Sequence, residues 1–370
     1  MKNIYKNLTI KNFKRFKTLE IEGLTDINLF FGDNNMGKTS IIEAVFAHSC
    51  GYNINALVNN LLSKRQMGYF NGIYDFGENL INLFNKENTS FYNMEFSIST
   101  TSQNGQKTIT DYKFTPSYFL EPLNDDYTNI NANKIDYNIN NKLENNTENQ
   151  IVYLGNLKVK INGKEKEFKI NFPLNIPSQE PLRSCVYHDI LDHRIPGRTI
   201  NIYGALKRKN KMNEFIEEIQ KIYPEIEDIE GIPLPNGAMK IYITLKNKKV
   251  SFSDLGDGFR RWYYIIGSMV LYPKSIHLIE EVDATFHPNS IPDFAETLFN
   301  YSNNYENQIF MTSHNQEFLH IFLKAFKNKE FLEKNISIFT LKELDNELKI
   351  LKLTGEEALI NIEKYNMELR

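Results

Sequence analysis

The sequence predicts an α/β fold organised around a phosphate-binding loop, and three adjoining observations carry that prediction. Residues 32 to 39 read Gly32-Asp33-Asn34-Asn35-Met36-Gly37-Lys38-Thr39, a complete P-loop pattern. The apolar run from Ile27 to Phe31 enters it as a buried strand would, and Ile41, Ile42, Ala44, Val45 and Phe46 leave it at helical spacing. Glycines let the backbone curl so that its N–H groups face phosphate oxygens, and the helix start adds the positive end of its dipole. In that geometry Lys38 holds the β- and γ-phosphates of ATP and the Thr39 hydroxyl ligates Mg²⁺. Gly32, Asn34, Asn35, Met36, Gly37 and Ser40 complete the nucleotide-binding stretch.

With 370 residues the chain has room for two to three units of about 150 residues each and for a large core. Its 43 basic and 46 acidic side chains give a net charge of −3, without the basic excess of a dedicated nucleic-acid binder. A local basic patch for DNA is possible but is not indicated by net charge. Cys50 and Cys185 are the only cysteines, too few for a metal knuckle or a disulfide framework, and are expected as buried thiols in a reducing compartment. Residues 1 to 7 contain no apolar signal core, and no run of about 18 apolar residues occurs. A cytoplasmic protein without membrane contact is the expectation.

Along the chain, Leu8, Ile10, Phe13, Leu19 and Ile21 alternate as a strand pair ahead of the buried strand. Strands return from about Phe91 to Phe119, with Gln103-Asn104-Gly105 as a hairpin signal. Residues 124 to 150 are dense in Asn and read as a loop. Two strands follow, Ile151 to Ile161 and Glu167 to Phe172, turning at Asn162-Gly163. Met212, Phe215, Ile216, Ile219 and Tyr223 predict an amphipathic helix over 212 to 223, and 239 to 245 a further strand. The end of the chain reads as a strand pair from Ile336 to Leu353, turning near Asp345-Asn346, and a helix.

Three later segments add chemistry. Leu255-Gly256-Asp257-Gly258 is a turn running into the helical stretch Trp262 to Leu271, and such a turn offers backbone N–H groups to an anion. Ser275 to Ile279 is an apolar strand ending in Glu280 and Glu281; the first carboxylate can hold Mg²⁺ and the second can activate the attacking water. Gln308 to Ser313 is another short strand, ending at His314, whose imidazole can donate to a γ-phosphate.

Taken in this order, the chain resembles the ABC-type ATPases of the RecF, SMC and OLD (overcoming lysogenization defect) group, most closely the OLD-like AAA-family ATPases of bacterial antiphage systems. The resemblance rests on Ile10-Lys11-Asn12-Phe13-Lys14-Arg15-Phe16, the Walker A loop with Ser40 to Ala44, the signature-like Leu255 to Gly258, the Walker B pair Glu280 and Glu281, a D-loop at Asp283 with His287-Pro288, and the switch His314. It covers residues 1 to about 86 and about 200 to 370. It implies an ABC-type head, a mixed sheet flanked by helices with an antiparallel β subdomain, interrupted by an inserted middle region. The implied organisation is a first head part over 1–86, a β-rich and Asn-rich insertion over 87–200 offering a partner surface, and a second head part over 201–370. It also implies that two heads sandwich each ATP, with Gly256 and Gly258 of one copy facing the P-loop of the other, Asp283 at the junction and Lys14 close to the phosphates. Gly256 replaces the family's signature serine, Met36 stands where a small residue is common, and no Q-loop glutamine can be assigned among Gln66, Gln103, Gln106 and Gln150.

Residues 87 to 200 lack heptads, and the stretch after His314 is too short for a nuclease domain. The expectation is therefore an ATP-hydrolysing sensor or scaffold of antiphage type, similar to the ATPase subunits of PARIS or Septu. It would act as a homodimer or higher homo-oligomer together with a separately encoded effector, a nuclease or toxin. The alternatives are a RecF-like DNA repair ATPase and an ATP-stabilised scaffold that hydrolyses slowly or not at all.

Overall fold

The computed structural model describes residues 4–62, 73–87, 94–117, 152–235, 237–246, 248–344, 347–365 and 367–368. β1 (Tyr5–Phe13) and β2 (Phe16–Glu22) form a hairpin, and β3 (Ile27–Phe31) runs into the phosphate-binding loop and the helix Lys38–Cys50. β4 (Met94–Ser102), β5 (Lys107–Pro116), β6 (Val152–Ile161) and β7 (Lys164–Phe172) then extend the β1–β2 hairpin into a six-stranded antiparallel sheet of order β2-β1-β4-β5-β6-β7. After β8 (Cys185–His188) come the helices Pro196–Arg208 and Met212–Gln220. β9 (Ile226–Pro233), β10 (Met239–Leu245) and β11 (Lys248–Ser251) make a small antiparallel sheet leading into the helix Asp257–Leu271.

β12 (Ile276–Ile279), β13 (Gln308–Ser313), β14 (Ile336–Leu344) and β15 (Glu347–Thr354) complete the central sheet, of order β15-β14-β3-β13-β12-β8. All its neighbours pair in parallel except the β14–β15 hairpin. A parallel sheet is covered on both faces, which is why β3, β12 and β13 read as unbroken apolar runs. Successive side chains of a strand point to opposite faces, and the sheet accordingly divides two cores. Phe30, Phe310, Leu278 and Phe339 face the antiparallel sheet and the P-loop helix. Leu29, Phe31, Ile309, Met311 and Ile338 face the helices Asp257–Leu271, Ile291–Asn304 and Gln316–Lys324. This is the α/β architecture expected from the sequence, with its antiparallel portion.

Local readings meet the structure with few changes. Gly105 (φ 80°) turns β4 into β5, and Asn162 (φ 47°) with Gly163 (φ 88°) turns β6 into β7, the positive φ values a two-residue hairpin requires. β7 begins at Lys164, immediately after that turn, earlier than the expected Glu167. The helix expected over 212–223 stops at Gln220, because Pro224 disfavours helical geometry at Tyr223. Tyr223 packs edge-on against Phe259 instead, 5.0 Å between centroids. Cys50 is buried as expected, whereas Cys185 is only half-buried. The Asn-rich stretch 124–150 and the Asp345-Asn346 turn lie outside the described residues.

Two buried polar groups tie the layers. Gln308 at the start of β13 accepts from the Tyr5 N–H (2.9 Å) and donates to the carbonyls of Tyr5 (2.8 Å) and Thr25 (2.9 Å), joining β1 to the central sheet. His48 on the P-loop helix bonds Thr100 of β4 through Nε2 (2.9 Å) and Thr110 of β5 through Nδ1 (3.0 Å). Burial pushes the His48 imidazole down to about 4, and burial does the same at His277 in β12. In the unfolded chain these rings titrate near 6.5, so between pH 6.5 and 4 the unfolded state binds more protons than the folded one. Stability is therefore complete above pH 6.5 and falls as the pH drops toward 4, by roughly 3 kcal/mol per histidine once both states are protonated. Melting temperatures measured from pH 7.5 down to 4.5 should show this fall, and a His48→Gln variant should show a shallower one.

Candidate functional site

The parallel pairing aligns the carboxyl ends of four strands. Phe31 pairs with Ser313, Met311 with Ile279, and Ile279 with His188, so Gly32, His314, Glu280 and Asp189 all follow at one edge of the sheet. That edge is where ligands bind in open α/β sheets.

The P-loop has the curled backbone its glycines permit, with φ 137° at Gly32, 64° at Asn35 and 92° at Gly37. There is no space for side chains at the two glycines: a Cβ on Gly32 would lie 2.7 Å from the Leu341 carbonyl oxygen, and one on Gly37 would lie 2.8 Å from both Arg15 and Phe16. Lys38 folds back over the loop, its Nζ donating to the carbonyls of Gly32 (2.8 Å) and Asp33 (2.6 Å). Burial lowers the pKa of that ammonium, and the carboxylates of Glu281, Asp33 and Asp283 act in the opposite direction.

Thr39 donates from Oγ1 to Glu280 Oε1 at 2.8 Å, so the loop hydroxyl and the first carboxylate are in contact. Tyr187 at the end of β8 donates to Glu280 Oε2 at 3.2 Å. Burial raises the Glu280 carboxyl above its ordinary range, Thr39 and Tyr187 oppose that through their hydrogen bonds, and the charges of Asp189 and Glu43 add to it. An anionic, all-oxygen pair of this kind is the donor set a hard Mg²⁺ ion requires. Glu281 has φ 41°, an uncommon backbone for a side-chain-bearing residue. Its conformation is held by Thr312 of β13, which accepts from the Glu281 N–H through Oγ1 (2.8 Å) and from the Val282 N–H through its carbonyl (2.9 Å).

Of the other expected site residues, Ser40 and Lys14 line a cleft of about 1040 Å³ beside the P-loop, together with Arg15, Asn82 and Lys86. Lys14 is ion-paired there with Glu43 of the P-loop helix. Asp283 is half-buried two residues past Glu281, and His314 is exposed just beyond β13. Exposed His287 accepts from the Asn289 N–H at 3.3 Å and so caps the short turn Pro288–Ser290. Gly256 caps the helix Asp257–Leu271 with exposed backbone, and Gly256 and Gly258 line a second cleft of about 600 Å³ with Thr285, His287 and Asp293. The two clefts share no lining residue.

Three residues at the site had no role assigned from the sequence. Tyr187 and Asp189 lie at the end of β8, the strand beside β12, while Gln103 and Gln106 are exposed at the β4–β5 turn and Gln66 and Gln150 fall outside the described residues. The short apolar run Cys185 to Tyr187, ending in His188 and Asp189, was the available signal. The third is Arg261, 2% exposed, which donates from Nη2 to the Glu280 carbonyl. Burial brings its guanidinium down to about 10, and Asp283, Glu281, Glu280 and Asp189 act to raise it. It stays charged at neutral pH beneath the carboxylates that surround the site.

A family model described as "AAA domain, putative AbiEii toxin, Type IV TA system" matches residues 27–320. The chain belongs to this AAA-domain family. The match runs from β3 and its P-loop past His314, and so includes every expected site residue except Lys14. A Helicobacter pylori protein named ATP/GTP phosphatase is 25% identical over 382 residues, which is 97% of each chain. The DNA replication and repair protein RecF of Lachnoclostridium phytofermentans is 44% identical over 43 residues, 12% of each chain. Among solved structures, the SmcHead bound to the C-winged helix domain of ScpA matches with a TM-score of 0.56 at 13% identity, over 96% of this chain and 99% of that one. The Smc head domain with an extended coiled coil, bound to the C-terminal domain of ScpA derived from Pyrococcus furiosus, matches at 0.52 and 12% over 98% and 99%. The AAA-domain family member described here thus has the fold of an ABC-type head. No helix among its described residues is long and apolar enough to cross a membrane.

Proposed function

We propose that the chain binds Mg²⁺ and ATP at the P-loop and hydrolyses ATP when two heads close on each other, with Glu281 as the general base. One observation carries this reading: Lys38, Thr39, Glu280 and Glu281 converge at one sheet edge, while the Gly256–Gly258 turn opens on a separate cleft. A turn that offers anion-binding amides away from its own P-loop is suited to the nucleotide of a second copy. Mg²⁺ would be held by Thr39 and Glu280 and would neutralise charge on the phosphates. Lys38 and the loop amides orient the γ-phosphate, Lys14 adds a charge at the cleft, Asp283 sits at the junction, and His314 donates to the γ-phosphate from the end of β13. The name of the Helicobacter pylori relative, ATP/GTP phosphatase, supports hydrolysis.

The wider role we propose is a nucleotide-controlled sensor or scaffold in antiphage defence, working with a separately encoded nuclease or toxin. It is supported by the toxin–antitoxin wording of the matching family and by the resemblance to OLD-like, PARIS and Septu ATPases. In this reading residues 1–86 and 201–370 are the two head parts, and within 87–200 the strands β4–β7 carry the partner surface while β8 completes the head's central sheet. The Smc heads solved with ScpA domains support a head that binds a protein partner. The short RecF similarity favours a second reading, a DNA clamp closed by ATP. The deciding experiment is light scattering with ATP turnover over a protein-concentration series. Turnover per subunit should rise with concentration as ATP-dependent dimers form; a flat profile with a nucleotide-independent assembly would replace the sandwich by a scaffold. DNA affinity that appears only with ATP and weakens with salt would support the clamp instead.

A further inference from the structure

We propose that Arg194 is a catalytic residue acting in trans: its guanidinium contacts the γ-phosphate of ATP held in the P-loop of a second copy. The proposal rests on the sandwich reading above and assigns to it a side chain that neither the family pattern nor the sequence singled out.

The turn at the start of the Asp257–Leu271 helix presents an electrostatic difficulty. Gly256 supplies no hydroxyl, and Ser253, the neighbouring alternative, is bonded to Ser251 Oγ at 2.8 Å. Asp257, between the two glycines, places a carboxylate in the turn that is to receive an anion. Left alone, that charge would repel a γ-phosphate. It is not alone: Arg260, one turn along the helix, pairs with Asp257 Oδ1, and Arg194 Nη2 donates to Oδ2 at 2.5 Å. The two guanidinium groups together offset the Asp257 carboxylate.

The two arginines are not equivalent. Arg260 is an i,i+3 partner within the helix and is 23% exposed, whereas the Arg194 side chain comes from outside the helix and is 54% exposed. Arg194 ends the short turn Asp192–Arg194, which is fixed from behind by buried Asp192, ion-paired with Arg198, and by buried His193, with Pro196 opening the next helix. Its backbone is therefore held while its head reaches solvent. One of the five guanidinium donors is used on Asp257, and no other hydrogen bond of this group is found among the described residues. A planar fork already oriented by a carboxylate and still open on one side suits bidentate recognition of a phosphoryl oxygen pair. In the hydrolysis step a water oxygen bonds to the γ-phosphorus, the bond to the bridging oxygen breaks with its electron pair leaving on ADP, and the water proton passes to Glu281. Arg194 exchanges no proton; it stabilises charge on the transferring group, as arginine fingers do.

The test uses full-length variants singly and mixed. Arg194→Ala alone should lose at least about 10²-fold in turnover, while binding a fluorescent ATP analogue and melting as the wild type does, since the side chain is exposed and Asp257 keeps Arg260. Lys38→Ala alone should be inactive. An equal mixture of the two should recover turnover at least about tenfold above either alone, because the Lys38→Ala copy lends its Arg194 to the intact P-loop opposite. Gly256→Trp mixed with Lys38→Ala is the control; a side chain at Gly256 enters open space, so the variant folds, but it blocks the turn. Rescue in the control without rescue by Arg194→Ala would overturn the trans role and leave the sandwich standing. Rescue in neither mixture would overturn both. Wild-type turnover of Arg194→Ala alone would also overturn the proposal.

Discussion

Glu281→Gln is expected to lower steady-state ATP turnover by about 10³-fold, within the range a lost general base costs, and to hold the protein in its ATP-bound assembly. An amide has nearly the carboxylate's shape but cannot take the proton of the attacking water. The backbone at this position is set by the two Thr312 hydrogen bonds and not by the side chain, so the φ of 41° and the neighbouring Glu280–Thr39 contact should persist. Nucleotide binding should consequently survive, and light scattering should find an oligomer that outlasts removal of free ATP. Unchanged turnover in this variant would remove Glu281 from the chemistry, and with it the reading of this edge as a hydrolytic site.

The second large effect is expected at Arg261. Arg261→Met should destabilise the fold by about 3–5 kcal/mol, the cost of leaving buried charge without its partner, and should abolish turnover as well. Asp189, Glu280, Glu281 and Asp283 all act on this one guanidinium, and the Glu280 carbonyl accepts a hydrogen bond from it. Removing the cation leaves four carboxylates to repel one another around a buried carbonyl. Arg261→Lys should restore part of the stability, because it keeps the charge and only one guanidinium nitrogen, Nη2, is hydrogen-bonded. Urea unfolding measures the first effect directly; a midpoint equal to that of the wild type would mean that the acidic residues are solvated without Arg261.

The contrast between these residues shows which part of the site is legible in a sequence. The P-loop and the Glu280–Glu281 pair are local: their meaning depends on the apolar run before them and the few residues after, so spacing alone brings them out. The position of His314 is legible for the same reason, as the residue that follows β13. Arg261, Tyr187 and Asp189 depend on non-local pairing. Tyr187 reaches Glu280 only because β8 aligns with β12 from about 90 positions away in the chain, and β8 lacks the paired carboxylates that mark the end of β12, a strand of equal length. Arg261 reads as one of two consecutive arginines on a helix; that it lies beneath Glu280 while Arg260 turns to Asp257 follows from helical rotation and from which face meets the sheet. β1 to β3, the hairpins of β4 to β7 and the motif-bearing strands are legible in the sequence, but the helices Pro196–Arg208 and Ile291–Asn304 and the strand β9 are not, and a proline decided the helix end that was overestimated.

The three hydrogen bonds of the Gln308 amide have a mechanical meaning. They couple the antiparallel sheet in series with the strand that ends at Thr312, Ser313 and then His314. A load applied to that sheet through β1 therefore has a hydrogen-bonded path to the root of β13 beside the short covalent link from β2 to β3. The same path joins Tyr5, through β13, to the strand end before His314. The amide works as a rivet between two plates, the antiparallel sheet and the sheet whose edge carries the P-loop.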